Sequence, residues 1–154
     1  MAGIVTARAT ILLFDIDGTL LSAGGAGRRV LARVFRERFG RGDAFDDVRF
    51  NGMTDRGIFR EGLARIGMPA DEPTIDDLCA TYLALLADEM PRVEGFRVHP
   101  GVADLLDALA GRPGIAVGLG TGNLREGARL KLAHAGLEHH FGFGGFGCDH
   151  EDRA

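Results

Sequence analysis

The stretch ILLFDIDGTLL, residues 11–21, constrains the fold of this chain more than any other. Its first four residues form a continuous apolar run closed by an aspartate, which is typical of a parallel-sheet strand buried on both faces. Side chains alternate along an extended backbone, so Asp15 and Asp17 point the same way at the carboxyl end of this strand. Two carboxylates at close range repel, and the pKa of one rises unless a cation intervenes. The pair therefore indicates a Mg²⁺ site, or two carboxylates that divide nucleophilic attack and proton transfer.

Glycine and threonine follow the aspartates, and they also occur at the end of a second apolar run. Gly18-Thr19 allows a sharp turn whose backbone N–H groups can cradle an anion. Residues 115–119 (IAVGL) predict a second buried strand, which ends in the Gly-Thr-Gly-Asn of residues 120–123. Residues 123–135 predict a helix, with Asn123 and Glu126 as a capping box and Gly136 after its end. Residues 143–148 predict a third strand. Strand, helix and strand with short turns form a βαβ unit, so we predict a doubly wound parallel α/β sheet.

A helical insertion separates the first two predicted strands. A plain crossover between parallel strands needs only about 12 residues, and the segment here is several times longer. It carries three helical stripes of apolar residues, the third opened by a Thr74-x-x-Asp77 capping box, and a fourth helix follows near residue 102. We predict an α/β core of residues 1–21 and 99–154 and an inserted helical cap of residues 22–98. An insertion at this point lies over the carboxyl ends of the strands, where open α/β sheets bind ligands, so the cap is expected to act as a lid.

Composition narrows the setting of the protein. The net charge of −4 provides no basic field for nucleic acid or an anionic membrane surface, so neither is expected as a partner. The longest early apolar run is too short for a secretory signal or a membrane span. Cys79 and Cys148 lie far apart without metal-ligand spacing, which favours reduced thiols and a cytoplasmic location. The oligomeric state is left open.

Three motifs resemble one superfamily. The sequence from Asp15 to Leu20 (DIDGTL) resembles the first motif of the haloacid dehalogenase superfamily of aspartate-nucleophile phosphohydrolases, and Thr121-Gly-Asn123 resembles its second motif. Their order, with a helical cap between them, matches the subclass whose cap follows the first motif. Gly52-Met-Thr-Asp55 is similar to the phosphoglycolate-phosphatase-like group. The resemblance implies a Rossmann-like core and a Mg²⁺-dependent hydrolase of a small phosphomonoester such as phosphoglycolate.

The resemblance also implies residue roles. Asp15 would attack phosphorus and form an aspartyl-phosphate, while Asp17 would protonate the leaving alcohol and then activate water. Mg²⁺ would bind the Asp15 carboxylate and the Asp17 backbone carbonyl. The Thr121 hydroxyl and the N–H groups near it, at Gly122 and Asn123, would hold the phosphoryl oxygens. The dehalogenase members lack the second aspartate, so Asp17 favours phosphate esters as substrates.

The cation of the family's third motif has two candidates. Lys131 falls on the apolar face of its predicted helix, yet it lies roughly 12 Å along that helix from Asn123 at 1.5 Å per residue. Arg153 follows the third predicted strand, could return to the carboxyl edge and could clamp phosphate with its guanidinium, so it is slightly preferred. In the cap, Thr54, Asp55 and Arg56 are expected to contact substrate.

Two alternatives to a phosphatase stay open at this level. A phosphosugar mutase resembling β-phosphoglucomutase would use the same nucleophile and cap. No strand after Cys148 supplies the acidic fourth motif of the family, so the chain is expected to end before it. In that case this chain would be a catalytically incomplete fragment that retains the fold, and the strand of residues 11–14 would form an exposed edge.

Overall fold

The computed structural model describes residues 9–150 of the 154-residue chain. None of the helices in this range combines the length and the hydropathy that crossing a bilayer requires. The described residues form both helices and strands, with short 3₁₀ turns at Met90–Arg92 and Glu138–His140. The elements are β1 (Thr10–Phe14), β2 (Leu21–Ala23), α1 (Ala26–Phe39), α2 (Asp55–Arg65), α3 (Glu72–Glu89), β3 (Phe96–Val98), α4 (Val102–Leu109), β4 (Ile115–Gly120), α5 (Arg125–Ala135) and β5 (Gly144–Gly145).

The main sheet has the predicted parallel arrangement, in the order β1-β4-β5. β1 and β4 run in register from Thr10 opposite Ile115 to Phe14 opposite Leu119. β4, α5 and β5 form the predicted βαβ unit, which confirms the α/β fold class. The third strand is shorter than the predicted 143–148: β5 is limited to Gly144 and Gly145, and a Cβ atom at Gly144 would lie 2.8 Å from the Leu119 carbonyl oxygen.

The prediction that β1 is buried on both faces is wrong. Ile11 and Leu13 are 62% and 60% exposed, and they share one face of the strand. An apolar run shows which faces a strand can bury, but burial also needs an element packed over each face. Within residues 9–150 that face of the sheet is open to solvent, and β1 forms one edge of the sheet, as the sequence led us to expect.

The helices α1, α2 and α3 of the predicted cap lie in the sequence between β2 and β3, which pair as a small antiparallel ribbon. β2 pairs with β3, with Leu21 opposite Val98, and the predicted boundaries at residues 22 and 98 fall within this ribbon. The apolar stripes of α1, α2 and α3 meet in a core that includes Phe35, Phe59 and Tyr82, all almost completely buried. Full burial of side chains of this kind contributes about 1.5–3 kcal/mol each, so the core can hold the cap helices in place.

Two predicted helix starts are wrong, because in each case the predicted capping residue is not the N-cap. α3 begins at Glu72 rather than at Thr74, because Asp71 is its N-cap and accepts a hydrogen bond from the Thr74 backbone N–H at 2.9 Å. α5 begins at Arg125, and Asn123 does not cap it, because the Asn123 side chain is hydrogen-bonded elsewhere. In both cases a capping side chain was assigned from spacing alone. The predicted end of α5 at Gly136 is confirmed by its left-handed φ of 71°.

Candidate active site

A cavity of about 440 Å³ lies between the cap and the carboxyl ends of β1 and β4. Its walls come from three parts of the fold: the turn after β1, the cap helices with the loop before α2, and the loop between β4 and α5. The lining side chains with polar or charged groups are Asp15, Asp17, Ser22, Arg28, Asn51, Asp55, Tyr82, Asn123 and Lys131. The structure therefore brings five of the predicted site residues with polar side chains to one cavity: Asp15, Asp17, Asn123 and Lys131 of the core and Asp55 of the cap.

The two aspartates face this cavity as the strand alternation predicts. Asp15 and Asp17 both line the cavity, whereas Ile16 between them is fully buried on the opposite side. Asp15 Oδ1 accepts a hydrogen bond from the Ile16 backbone N–H at 2.8 Å. The chain then reverses at Gly18, whose φ of 79° disfavours residues with a side chain, and the Gly18 N–H donates to the Leu21 carbonyl. The turn thus fixes both carboxylates at the strand end.

Lys131 reaches Asp17 and forms the centre of a polar network. Its Nζ donates to Asp17 Oδ1 and Oδ2 at 3.0 and 2.7 Å and to Asn123 Oδ1 at 2.6 Å. Asn123 Nδ2 in turn donates to Asp17 Oδ2 and to Thr121 Oγ1, both at 2.8 Å. The Lys131 side chain is only 5% exposed, so its ammonium group is fixed by these acceptors. The network joins four of the predicted site residues.

The distance argument against Lys131 is wrong in this structure. Rise per residue places its Cα far from Asn123, but helical side chains lean toward the helix N-terminus. The long lysine side chain therefore reaches back along α5 to the strand ends, where it meets Asp17. Arg153, the rival candidate, lies outside the described residues.

Asp55 connects the cap to the core. Its backbone N–H donates to the Gly122 carbonyl at 2.8 Å, and its Oδ2 accepts from the Leu124 N–H at 2.8 Å. A carboxylate from the cap thus satisfies an N–H group at the start of α5, the role that sequence spacing gave to Asn123. Burial raises the pKa of the Asp55 carboxyl, while the Lys131 charge and the hydrogen bond from Leu124 oppose that shift.

A glycine at position 122 permits this close approach. A Cβ atom at Gly122 would lie 2.3 Å from the Met53 carbonyl oxygen and 3.2 Å from the Thr54 Cα. Both obstacles are backbone atoms, which cannot rotate away. The Thr-Gly-Asn motif therefore serves cap docking as well as facing the cavity with Gly122 and Asn123.

The other predicted cap contacts lie in different places. Thr54 is buried and is the N-cap of α2, where its Oγ1 accepts from the Gly57 N–H at 3.1 Å. Arg56 does not line the cavity; its guanidinium pairs with Glu72 and Asp76 of α3. Sequence reasoning missed Arg28 as a site residue. The signal available was the run Gly24-Gly-Ala-Gly-Arg28 directly after the predicted core boundary.

The donor atoms of the cavity fit a hard divalent cation. Within residues 9–150, no histidine or cysteine lines it, and the carboxylates of Asp15 and Asp17 face it. Oxygen donors of this kind suit Mg²⁺ or a similar ion rather than a soft metal. Among the described residues, three carboxylates, including Asp55, line a space with only Arg28 and Lys131 as cations. An added cation would thus relieve their repulsion and admit an anion.

Comparisons with known proteins identify the family of this chain. A family model described as a haloacid dehalogenase-like hydrolase matches residues 9–153. The phosphoglycolate phosphatase of Rhodobacter capsulatus is 31% identical over 134 residues, which cover 86% of this chain. The chain spans 59% of the length of that curated relative.

Solved structures share the fold at low sequence identity. The crystal structure of CbbY from Rhodobacter sphaeroides in complex with phosphate superposes with a TM-score of 0.68 at 19% identity, covering 95% of this chain and 67% of CbbY. A predicted phosphoglycolate phosphatase from Haemophilus somnus 129pt gives 0.64 at 15% identity, with 93% and 64% of the two chains covered. These two likenesses establish the fold.

Proposed function

This chain belongs to the haloacid dehalogenase-like hydrolase family, and we propose that it hydrolyses small phosphomonoesters with Asp15 as the nucleophile. The observation that supports this most is the network at the strand ends. Asp15 and Asp17 line one cavity, and Lys131 and Asn123 bind the second carboxylate from the side. Phosphoryl transfer through an aspartyl-phosphate requires a nucleophile, a proton-transfer group and a fixed cation.

The two carboxylates divide the chemistry. The Asp15 carboxylate oxygen bonds to phosphorus as the bond to the leaving alcohol oxygen breaks, and Asp17 gives that oxygen its proton. Asp17 then takes a proton from water, whose oxygen attacks the same phosphorus. The bond from Asp15 to phosphorus breaks, which releases phosphate and restores the free carboxylate.

The surrounding groups orient these two carboxylates and stabilise charge. Lys131 and Asn123 hold the Asp17 carboxylate in one orientation, and Thr121 holds the Asn123 amide. Lys131 would also supply positive charge next to the phosphoryl group, since its ammonium group contacts Asp17 at the strand ends. The Asp15 carboxylate and the Asp17 backbone carbonyl would hold Mg²⁺, which shields the anionic nucleophile from the anionic ester.

The substrate class follows from the cavity and the relative. A space of about 440 Å³ suits a small phosphorylated metabolite rather than a phosphoprotein or a nucleic acid. The relative named phosphoglycolate phosphatase makes phosphoglycolate the first substrate to test.

The free cysteines Cys79 and Cys148 are consistent with a reducing cytoplasmic setting.

Turnover of para-nitrophenyl phosphate with Mg²⁺ tests the proposal. We expect hydrolysis by the wild type, loss on chelation with EDTA and loss in Asp15→Asn, a variant of nearly identical shape. Arg129→Gln, which changes an exposed residue of α5, is the control. Hydrolysis that persists in Asp15→Asn would exclude this nucleophile. Isomerised sugar phosphate without free phosphate from a hexose 1-phosphate would indicate a mutase instead.

A further inference from the structure

Arg28 presents a rigidly held positive charge to the catalytic cavity from the cap side. It lies in the first turn of α1 and lines the cavity together with Phe50. Its Nη1 donates to the Phe45 carbonyl at 2.7 Å and its Nη2 to the Val48 carbonyl at 2.6 Å. The guanidinium carbon also lies 4.0 Å from the centroid of the Phe50 ring. Three contacts therefore fix the guanidinium before any ligand binds.

Among the described residues, no carboxylate forms an ion pair with the Arg28 guanidinium. Within residues 9–150, the only hydrogen bonds of the Arg28 guanidinium go to two neutral carbonyls, and it forms no ion pair. A guanidinium has five N–H donors, so donors remain for a ligand. Its neighbour Arg29 illustrates the contrast, because Arg29 pairs with Glu89 at 2.8 Å and does not line the cavity. The other described arginines that form ion pairs, such as Arg33 and Arg129, likewise do not line the cavity.

The charge at Arg28 is not needed for the phosphoryl group itself in the proposed reaction. Lys131 already lies at Asp17 and Asn123, at the carboxyl ends of the strands. Arg28 instead occupies the cap wall, beside the half-buried ring of Phe50. A second cation in one small cavity favours a substrate with a second anionic group, because guanidinium binds carboxylate and phosphate with paired, charge-assisted hydrogen bonds.

We propose that Arg28 determines specificity by binding a second anionic group of the substrate, a carboxylate or a second phosphate. This rests on the proposed function, since it assumes that the first anionic group is the phosphoryl group at Asp15. The substrates are then phosphomonoesters that carry a further negative charge a few bonds from the ester. Neutral alcohol phosphates are turned over through the same nucleophile, but they lack the contact with Arg28.

Matched substrates test this assignment. We expect the wild type to favour 2-phosphoglycolate, which carries a carboxylate, or the bisphosphate of ethylene glycol over ethyl phosphate in kcat/KM; the two anionic probes distinguish the two groups. Arg28→Gln should lower that preference about 10- to 100-fold, as expected for a lost hydrogen bond between charged groups. Arg28→Lys should fall between, because lysine keeps the charge and loses the paired donors. Arg29→Gln should retain the full preference.

An equal loss of kcat/KM on anionic and neutral esters in Arg28→Gln would overturn the assignment, and so would a wild type without preference. If the Arg28→Gln variant does not fold, two inhibitors measured on the wild type still test the assignment. 3-Phosphonopropionate should bind at least about tenfold more tightly than propylphosphonate, which lacks the carboxylate; equal inhibition constants would contradict the role of Arg28. If no ester is hydrolysed, the proposed function fails, while this inhibitor pair, measured by calorimetry, still tests Arg28.

Discussion

Replacing Lys131 by methionine should abolish most of the activity and leave the protein folded. The Nζ of Lys131 makes three hydrogen bonds, two to Asp17 and one to Asn123, and the side chain is 5% exposed. Loss of one preorganised group that stabilises developing charge typically costs about 2.7–4 kcal/mol, so kcat should fall about 10²- to 10³-fold. Methionine matches the length and the apolar stem of lysine, which separates loss of charge from loss of packing.

Stability should change much less than activity in this variant. Burial of an ammonium group carries its own desolvation cost, so removing it recovers part of what the hydrogen bonds contribute. Its partner Asp17 is 47% exposed and can be hydrated once the lysine is gone. We therefore expect the free energy of unfolding to fall by less than about 3 kcal/mol, since leaving the buried Asn123 Oδ1 without its donor costs about 1–3 kcal/mol before that recovery.

The effect of Lys131→Met on kcat and on stability is measured on one preparation, by initial rates on para-nitrophenyl phosphate and by urea unfolding. Arg129→Met is the matched control: it removes a cation from the same helix two residues earlier, where the side chain is 48% exposed and pairs with Glu126. It should keep wild-type kcat. A folded Lys131→Met enzyme within about threefold of wild type would refute the role given to Lys131. A kcat loss matched by Arg129→Met would show that helix charge, rather than the network, matters.

Two further variants test the docking of the cap on the core. Asp55→Ala leaves the Leu124 N–H without its acceptor and should destabilise the fold by about 1–3 kcal/mol relative to Asp55→Asn in urea unfolding; equal stabilities would contradict this. Because burial raises the pKa of Asp55, ionisation in the folded state costs stability, so wild type should lose stability relative to Asp55→Asn as pH rises from the ordinary value of 3.8 through the raised pKa. A parallel pH dependence would refute that burial effect. Gly122→Ala places a Cβ 2.3 Å from the Met53 oxygen and should cost about 1–3 kcal/mol, whereas Gly145→Ala, with open space around it, should cost less. Equal costs would show that the close approach is not maintained.

The fold and the core of the site could be predicted because they depend on local patterns. The apolar runs that end in Asp15 and in Gly120 predict parallel strands, and parallel strands bring their carboxyl ends to one edge. Alternation along an extended backbone placed Asp15 and Asp17 on one side. The family likeness added roles to residues already singled out by position.

The remaining site features depend on packing that a sequence pattern does not encode. Lys131 is within reach only because its side chain leans back along α5, and rise per residue alone argued against it. Asp55 meets the core through backbone approach at Gly122, which no spacing reveals. Arg28 faces the cavity because the loop carrying Phe45 supplies its acceptor carbonyls. The exposure of Ile11 on β1 similarly depends on what covers the sheet, not on the strand itself.

The most direct test of the account is to find where the phosphoryl group goes during turnover. The protein, mixed with 2-phosphoglycolate or para-nitrophenyl phosphate and Mg²⁺, would be quenched in acid during the first turnover and analysed as peptides by mass spectrometry. The account predicts a phosphoryl group on the peptide containing Asp15, labile to hydroxylamine as an acyl phosphate is, and absent in Asp15→Asn. Hydrolysis without phosphorylation of Asp15, or phosphorylation of another residue, would contradict it.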